Sequence, residues 1–130
     1  IDLDTVMPGL AVNDFGDSIR FGASTAAEDE KDLTKVSCDL ELYDIYAKGF
    51  LEGCDGILTN TEIECLPLGA KVMTYECGMR FLTDYLSGDT YFKTDYPTHN
   101  LDRARTQFKL VADMEEKWEQ MQKIVRKYLK

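Results

Sequence analysis

The chain has 130 residues, the length of one domain, and 44% of them are hydrophobic, which argues against a disordered protein. Its 24 acidic and 15 basic residues give a net charge of −9, and this balance disfavours nucleic acids and membrane surfaces as partners, because both attract basic proteins. No apolar segment approaches the roughly 20 residues that a membrane-spanning helix needs.

The first 32 residues are predicted to contain one strand and one short helix. Residues 1–6 alternate between apolar and polar side chains, which is the period of a strand. Residues 14–22 are predicted to form the helix, with Asn13 or Asp14 as its N-cap. Residues 24–32 are polar and acidic, as is typical of a loop. Because a lone strand cannot satisfy its own backbone, we expect its partners to lie outside this chain.

Two longer helices are predicted in the middle of the chain. Apolar residues recur at steps of three and four from Leu33 to Phe50, and Gly53 is predicted to end that helix. Thr59 and Glu62 match the capping box that begins a helix. Since proline is tolerated only in a first turn, we expect a short helix there and a long one that starts near Pro67.

The long helix is predicted to be central, and a final helix follows it. Apolar residues surround most of the long helix, and their main stripe is Leu68, Val72, Tyr75, Met79, Leu82 and Leu86. A loop over residues 87–99 follows, and Asn100 is predicted to cap a helix that runs to Tyr128. The chain therefore reads as one mainly α-helical unit, residues 1–130, with one short N-terminal strand.

The cysteines indicate free thiols rather than a metal or redox site. None of Cys38, Cys54, Cys65 and Cys77 forms a C-x-x-C pair. Free thiols are usual in a cytoplasmic protein, and we expect that location.

Asp2 and Asp4 are the first candidate site. On a strand they point to the same side, and two adjacent carboxylates suit Mg²⁺, particularly Mg²⁺ that phosphates already carry. Two solvated edge residues are an equally good interpretation. The pattern Asp2-x-Asp4-x-Val6 also fits the nucleophile motif of haloacid dehalogenase-type phosphatases, although that fold needs repeated strand–helix units.

Two further groups of residues have a structural and a functional interpretation. Asp14 begins an Asp-Phe-Gly tripeptide like the metal-binding one of protein kinases, but no Ala-Pro-Glu motif follows, so a cap or loop anchor is favoured. Glu76, Arg80 and Asp84 are spaced by four residues, as in an exposed row of ion pairs. Alternatively, Arg80 points into a cleft on this otherwise apolar helix.

The 87–99 loop contains the candidate ligand-binding side chains of the second half. Loops of this length are often functional. Tyr91, Phe92 and Tyr96 are able to stack on a polar ligand such as a sugar. His99, the single histidine, adjoins the predicted cap, so a structural role is favoured for it.

Four stretches of this sequence resemble a known family. Residues 1–4 (IDLD) and 14–20 (DFGDSIR) resemble the end of the catalytic region in the aminoglycoside phosphotransferase/choline kinase family. Residues 73–86 (MTYECGMRFLTDYL) and 99–108 (HNLDRARTQF) resemble the N-acetylhexosamine 1-kinase branch, some members of which carry the name mucin desulfatase. The resemblance implies a helical part of a protein-kinase-like large lobe.

The resemblance also implies roles for individual residues. Asp2 is implied to be the Mg²⁺-binding aspartate, with Asp4 as an accessory acid, and Asp14 to be structural. Arg80 and Tyr91, with Phe21, fall where the sugar-1-kinase branch contacts its sugar. The implied ligands of the complete enzyme are ATP, Mg²⁺ and an N-acetylhexosamine.

Several parts of such a kinase do not occur in this sequence. It has no Gly-rich phosphate loop, no ATP-anchoring lysine on a strand and no H-x-D-x-x-x-x-N catalytic loop. We therefore expect a C-terminal kinase fragment that is inactive alone, contains no catalytic base, binds no cofactor in isolation and self-associates through exposed apolar surface. The non-enzymatic alternative is a helical protein-interaction module.

Overall fold

Five α-helices make up most of the described chain. The structure is a computed structural model, and it describes residues 3–130. Two single 3₁₀ turns, Leu3–Thr5 and Leu33–Lys35, accompany the helices. In chain order the helices are α1 (Ala11–Gly22), α2 (Leu40–Gly53), α3 (Asn60–Leu86), α4 (His99–Glu116) and α5 (Trp118–Arg126). The predicted mainly helical class is confirmed.

The prediction of an N-terminal strand is wrong for the residues that the structure describes. Leu3–Thr5 form a 3₁₀ turn, in which the backbone N–H of Val6 donates to the carbonyl of Leu3 (3.1 Å). Six alternating residues are a weak strand signal, and here the backbone bonds locally instead. Over residues 3–130 the strand-like pairing amounts to one antiparallel bridge, between Ser24 and Cys38. The described chain therefore lacks the strand–helix units of a haloacid dehalogenase fold.

α1 and α3 cross at unusually short range, backbone against backbone. An alanine Cβ at Gly16 would lie 2.2 Å from the carbonyl oxygen of Gly69, and one at Gly69 would lie 2.1 Å from that of Val12. This contact begins the core, since Phe15 and Ile19 of α1 are fully buried beside it. α1 starts at Ala11, so the predicted caps are wrong. The burial of this face, rather than a capping side chain, determines where α1 begins.

The buried face of α3 is not the stripe that the sequence predicts. Leu68, Val72, Tyr75, Met79 and Leu86 are between 45% and 75% exposed. α3 instead buries a different face against α1 and α4, and on that face glycines lie where the neighbouring helices approach most closely, Gly69 beside α1 and Gly78 beside α4. The buried set includes Leu66, Gly69, Ala70, Thr74, Gly78 and Phe81. The helix is central, as predicted, but a large apolar strip of it faces solvent.

A side-chain cap precedes the first residue of α2, and another precedes the first residue of α3. The side chain of Asp39 accepts from the backbone N–H groups of Glu41 (2.9 Å) and Leu42 (3.0 Å), so α2 begins at Leu40 and not at the predicted Leu33. The predicted end of α2 at Gly53 is confirmed.

The capping box of α3 is also confirmed. The backbone N–H of Thr59 donates to Glu62 (2.7 Å), and the backbone N–H of Glu62 donates back to the Thr59 hydroxyl (3.3 Å). The predicted break near Pro67 is wrong, since α3 continues through this buried proline. Packing on both sides of the proline outweighs the cost of about 3 kcal/mol that an interior proline imposes.

The last predicted helix is divided in two at Lys117. The Lys117 ammonium donates to Asp113 (2.7 Å), to the Ser37 hydroxyl (2.6 Å) and to the Cys38 carbonyl (2.8 Å). Asp113 is 8% exposed and also accepts from the backbone N–H of Cys38 (2.7 Å). This buried network ties the 24–39 segment to the end of α4. A long-range contact of this kind has no local sequence signal.

Protonation of Asp113 is expected to lower the free energy of unfolding at acid pH. Burial disfavours its charge, but the hydrogen bonds from Lys117 and Cys38 outweigh that effect, and the pKa of Asp113 lies below its ordinary value. Its contribution is therefore complete above the unfolded-state pKa of about 4 and is lost as pH falls through the lower folded-state pKa. Urea unfolding of the wild type and Asp113→Asn from pH 7 to pH 2.5 measures this.

The difference in unfolding midpoint between the two proteins should be largest at neutral pH and shrink below pH 4. Asp95→Asn, at a carboxylate that is 74% exposed, is the control and should follow the wild type. An Asp113→Asn protein that loses stability in acid as steeply as the wild type would contradict the assignment.

The state of the cysteines agrees with the sequence expectation. The four cysteines are free thiols, and burial raises the pKa of Cys38 to about 11. In the described part of the chain, no helix combines the length and the apolar composition that a membrane span requires.

Candidate functional site

Asp84, at the C-terminal end of α3, organises the loop that follows it. Its carboxylate is 5% exposed and accepts from three consecutive backbone N–H groups, those of Thr90 (3.0 Å), Tyr91 (2.8 Å) and Phe92 (2.9 Å). Burial disfavours the charged form, but these donors stabilise it more, so the pKa of Asp84 lies below its ordinary value. Asp84 therefore belongs to the loop and not to an exposed row with Glu76 and Arg80.

α4 holds the same loop from the opposite side. The Asn100 amide donates to Asp84 (2.8 Å) and to Asp89 (2.9 Å), and Asp89 has a positive φ of 58° at the turn. The Arg103 guanidinium donates to the Asn100 side-chain oxygen and to the Lys93 carbonyl, both at 3.0 Å. Asn100 is thus a loop anchor and not a helix cap. The amide and the oxygen of its side chain are both occupied by these hydrogen bonds, and α4 begins at His99 without a side-chain cap.

Arg80 and Tyr91 meet beside this anchored loop. The Arg80 guanidinium lies 5.7 Å from the Tyr91 ring centre and 5.5 Å from that of Phe92, and the two rings meet edge to face at 4.8 Å. Arg80 is half exposed and Tyr91 is 74% exposed. Among residues 3–130, the carboxylate within 4 Å of the Arg80 guanidinium is that of Glu76, at 3.8 Å, so Arg80 keeps donors for a ligand. These side chains line an open cleft of about 480 Å³.

Phe21 lies on a different cavity from Arg80 and Tyr91. It stands at the end of α1, is 72% exposed and borders a space of about 200 Å³ with Arg20 and Glu28. A third cavity of about 350 Å³ shares Arg20 and Glu28 with that space and shares Arg80 with the cleft. The three openings therefore adjoin one another. Two of the three predicted sugar contacts are together, and Phe21 is at the far end of the series.

The predicted metal residues are placed only in part. Asp2 lies outside the described residues, and Asp4 is exposed in the N-terminal 3₁₀ turn. The Asp4 carboxylate is a hard oxygen donor of the kind that Mg²⁺ accepts. Over residues 3–130, no three His, Cys, Asp or Glu side chains form a group that would hold a metal. Asp14 is exposed in the first turn of α1, where its charge suits the helix dipole.

His99 clamps the base of the loop. Its Nδ1 accepts from the backbone N–H of Asp95 (3.1 Å), so Nε2 carries the proton and donates to Asp29 (2.7 Å). The hydrogen bond from His99 lowers the pKa of Asp29. His99 is 3% exposed and is stacked on Tyr96 at 4.5 Å. Both ring nitrogens are occupied, which agrees with the favoured structural role.

Sequence reasoning missed the residues that shape the cleft. Asn100 and Arg103 of α4 hold the loop, and Arg103 binds the carbonyl of the loop residue Lys93, but the sequence predicts none of these contacts. The only local signal was an aspartate one turn before a Gly-Asp turn, at Asp84. A comparison of the sequence with models of known protein families finds no match.

Proposed function

We propose that this chain is the C-terminal part of the helical lobe of an ATP- and Mg²⁺-dependent sugar kinase, which phosphorylates an N-acetylhexosamine at its 1-hydroxyl. The observation that supports it most is that Arg80 of α3 lies beside Tyr91 and Phe92, which stand on a loop that Asp84 and Asn100 hold in place. Exposed aromatic rings suit the apolar face of a sugar, and a guanidinium suits its hydroxyl and acetamide oxygens. The similarity of residues 73–86 and 99–108 to the N-acetylhexosamine 1-kinases supports the same substrate class.

The proposal divides the work between this chain and other parts of the enzyme. Phosphoryl transfer depends on positioning and on charge neutralisation, and bound Mg²⁺ supplies much of that neutralisation on the ATP phosphates. Asp2 and Asp4 would hold the metal, whereas Arg80, Tyr91 and Phe21 would hold the sugar. The base and the nucleotide cradle would come from residues outside this sequence, and the enzyme would act in the cytoplasm, where ATP is abundant.

An Arg80→Ala substitution tests the sugar contact in the longer protein. We expect the KM for N-acetylglucosamine to rise about tenfold or more, because a charge-assisted donor to the sugar is lost, while the KM for ATP stays unchanged. Arg126→Ala, at a similarly exposed arginine on α5, is the matched control and should change neither value. Steady-state kinetics with each substrate varied separately makes the measurement.

Two results would contradict the proposal. An Arg80→Ala enzyme with an unchanged KM for the sugar would remove the binding role. Measurable ATP-dependent turnover by the 130-residue chain alone would show that the catalytic machinery does not lie elsewhere.

A helical protein-interaction module is the second candidate, and one observation favours it. The strip of α3 formed by Leu68, Val72, Tyr75 and Met79 is about half exposed along three turns. Exposed apolar surface of this extent is typical of a contact face. Both candidates predict self-association, which sedimentation over a range of concentrations measures. Only the kinase fragment is expected to bind N-acetylhexosamine, so a sugar titration is needed to discriminate between them.

A further inference from the structure

The third cavity, which lies between the Phe21 cavity and the Arg80 cleft, is lined mainly by basic side chains, although the protein as a whole is acidic. Four cationic side chains line it, and Glu28 is the one carboxylate among its lining residues. The cations come from four separate segments, and they are Arg20 of α1, Arg80 of α3, Lys93 of the loop and Arg103 of α4. The whole chain carries a net charge of −9, so this concentration of positive charge is a local feature that the fold creates.

Two of the four cations have no ion-pair partner in the described chain. No carboxylate of residues 3–130 lies within 4 Å of the charged nitrogens of Lys93 or Arg103. Arg103 is instead held through Nη1, by the Lys93 carbonyl and the Asn100 oxygen, and its guanidinium lies 5.5 Å from the Phe81 ring centre. Its position is therefore fixed while its charge remains available.

Arg20 is fixed in the same manner but is largely neutralised. Its Nε donates to Asp17 (3.0 Å) and its Nη1 donates to Glu28 (2.6 Å), and the side chain is 16% exposed. In both Arg20 and Arg103, Nη2 makes no hydrogen bond with the described residues. The cavity is thus bordered by immobilised donors.

Four cations and one carboxylate around a single cavity leave an excess of positive charge there. Like charges held near one another repel, and a bound anion relieves that repulsion. Guanidinium groups match the tetrahedral oxygens of phosphate and sulfate with directed donors, and an ammonium adds a mobile point charge. Phe81 and Phe92 provide an apolar wall beside the cations. A volume of about 350 Å³ exceeds a free phosphate and accommodates a sugar-sized molecule that carries one.

We propose that this cavity is a binding site for a phosphate- or sulfate-class oxyanion, with Arg103 and Lys93 as its principal contacts and Arg20 and Arg80 at its sides. It adjoins the sugar cleft but does not depend on the kinase assignment, because it requires neither ATP nor catalysis. The anion is either free or a substituent of a sugar, and the two sources share this recognition chemistry.

Titration of the chain with inorganic phosphate tests the site. We expect saturable changes in the ¹H–¹⁵N spectrum at the amides of Lys93 and Arg103, measured at low ionic strength and pH 7.5. Lys93→Ala should raise the Kd about threefold to tenfold, since one close cation is removed. Lys93 is exposed, so the substitution leaves the fold in place. Lys123→Ala, at an exposed lysine of α5, removes the same charge and should leave the Kd unchanged.

Two further titrations identify the source of the anion. Tighter binding of N-acetylglucosamine 6-phosphate than of inorganic phosphate would assign the site to a sugar-borne group, and equal binding would assign it to the free anion. Both results support the site.

The proposal is overturned if phosphate causes no saturable change, or if Lys93→Ala and Lys123→Ala weaken binding equally. It is also overturned if uncharged N-acetylglucosamine shifts the same amides with the same Kd as its 6-phosphate. Loss of the kinase assignment would leave each of these readouts unaffected.

Discussion

A Gly16→Ala substitution is expected to lower the free energy of unfolding by about 3 kcal/mol or more. The added methyl would lie 2.2 Å from the carbonyl oxygen of Gly69, so α1 and α3 would have to move apart. Both sides of this contact are backbone, and neither relaxes by a change of rotamer. The separation would loosen Phe15 and Ile19, which are fully buried beside the crossing. Urea denaturation followed by circular dichroism measures the change.

Gly49→Ala is the matched control for that experiment. Gly49 lies within α2, and an added Cβ there meets no atom within 4 Å. Alanine is favoured over glycine in a helix interior, so this variant should gain roughly 0.5–1 kcal/mol. The same chemical change is thus expected to have opposite signs at the two positions. A Gly16→Ala protein as stable as the wild type would show that the two helices do not cross this closely.

The second large effect is expected from Asp84→Ala. The substitution leaves the backbone N–H groups of Thr90, Tyr91 and Phe92 without their acceptor, and it removes one of the two acceptors of the Asn100 amide. Several charge-assisted hydrogen bonds to one buried carboxylate are lost together, so we expect the melting temperature to fall by about 10 °C. Amide exchange at the three loop positions should accelerate at least about tenfold, because the loop loses its anchor.

Asp95→Ala is the control for the anchor, since it removes a carboxylate from the same loop. The Asp95 side chain is 74% exposed, and its carboxylate lies 3.9 Å from Nδ1 of His99. We expect the melting temperature and the exchange rates at residues 90–92 to remain those of the wild type. If Asp84→Ala were to leave exchange at those residues unchanged, the loop would be held by something other than Asp84.

The effect of Asp84→Ala on ligand binding links this loop to both proposed sites. Hydrogen bonds from the backbone N–H groups of Tyr91 and Phe92 to Asp84 fix the positions of these two residues, and Lys93 follows them directly in the chain. We therefore expect the variant to weaken sugar and oxyanion binding together. Arg80→Ala differs, because it removes one side chain that borders both the cleft and the cavity without releasing the loop.

How far the sequence predicted the candidate site depends on the kind of contact. Arg80 and Tyr91 were selected from the resemblance, and the fold does bring them together at 5.7 Å. Asp84 was placed in a helical row with Arg80 because a spacing of four suggests it. The observed partners of Asp84 are six to sixteen residues away, in a loop and on another helix. Spacing within one helix carries no information about such partners.

The sequence by itself determined the helical class, the capping box at Thr59 and the end of α2 at Gly53. Each of these follows from interactions among residues within one or two turns, which the order of amino acids specifies directly. Tertiary structure alone decided which face of α3 is buried, since the close crossing at Gly16 and Gly69 selects small residues over the larger apolar stripe. It also decided that four cations from separate segments border one cavity, because only packing brings distant charges together.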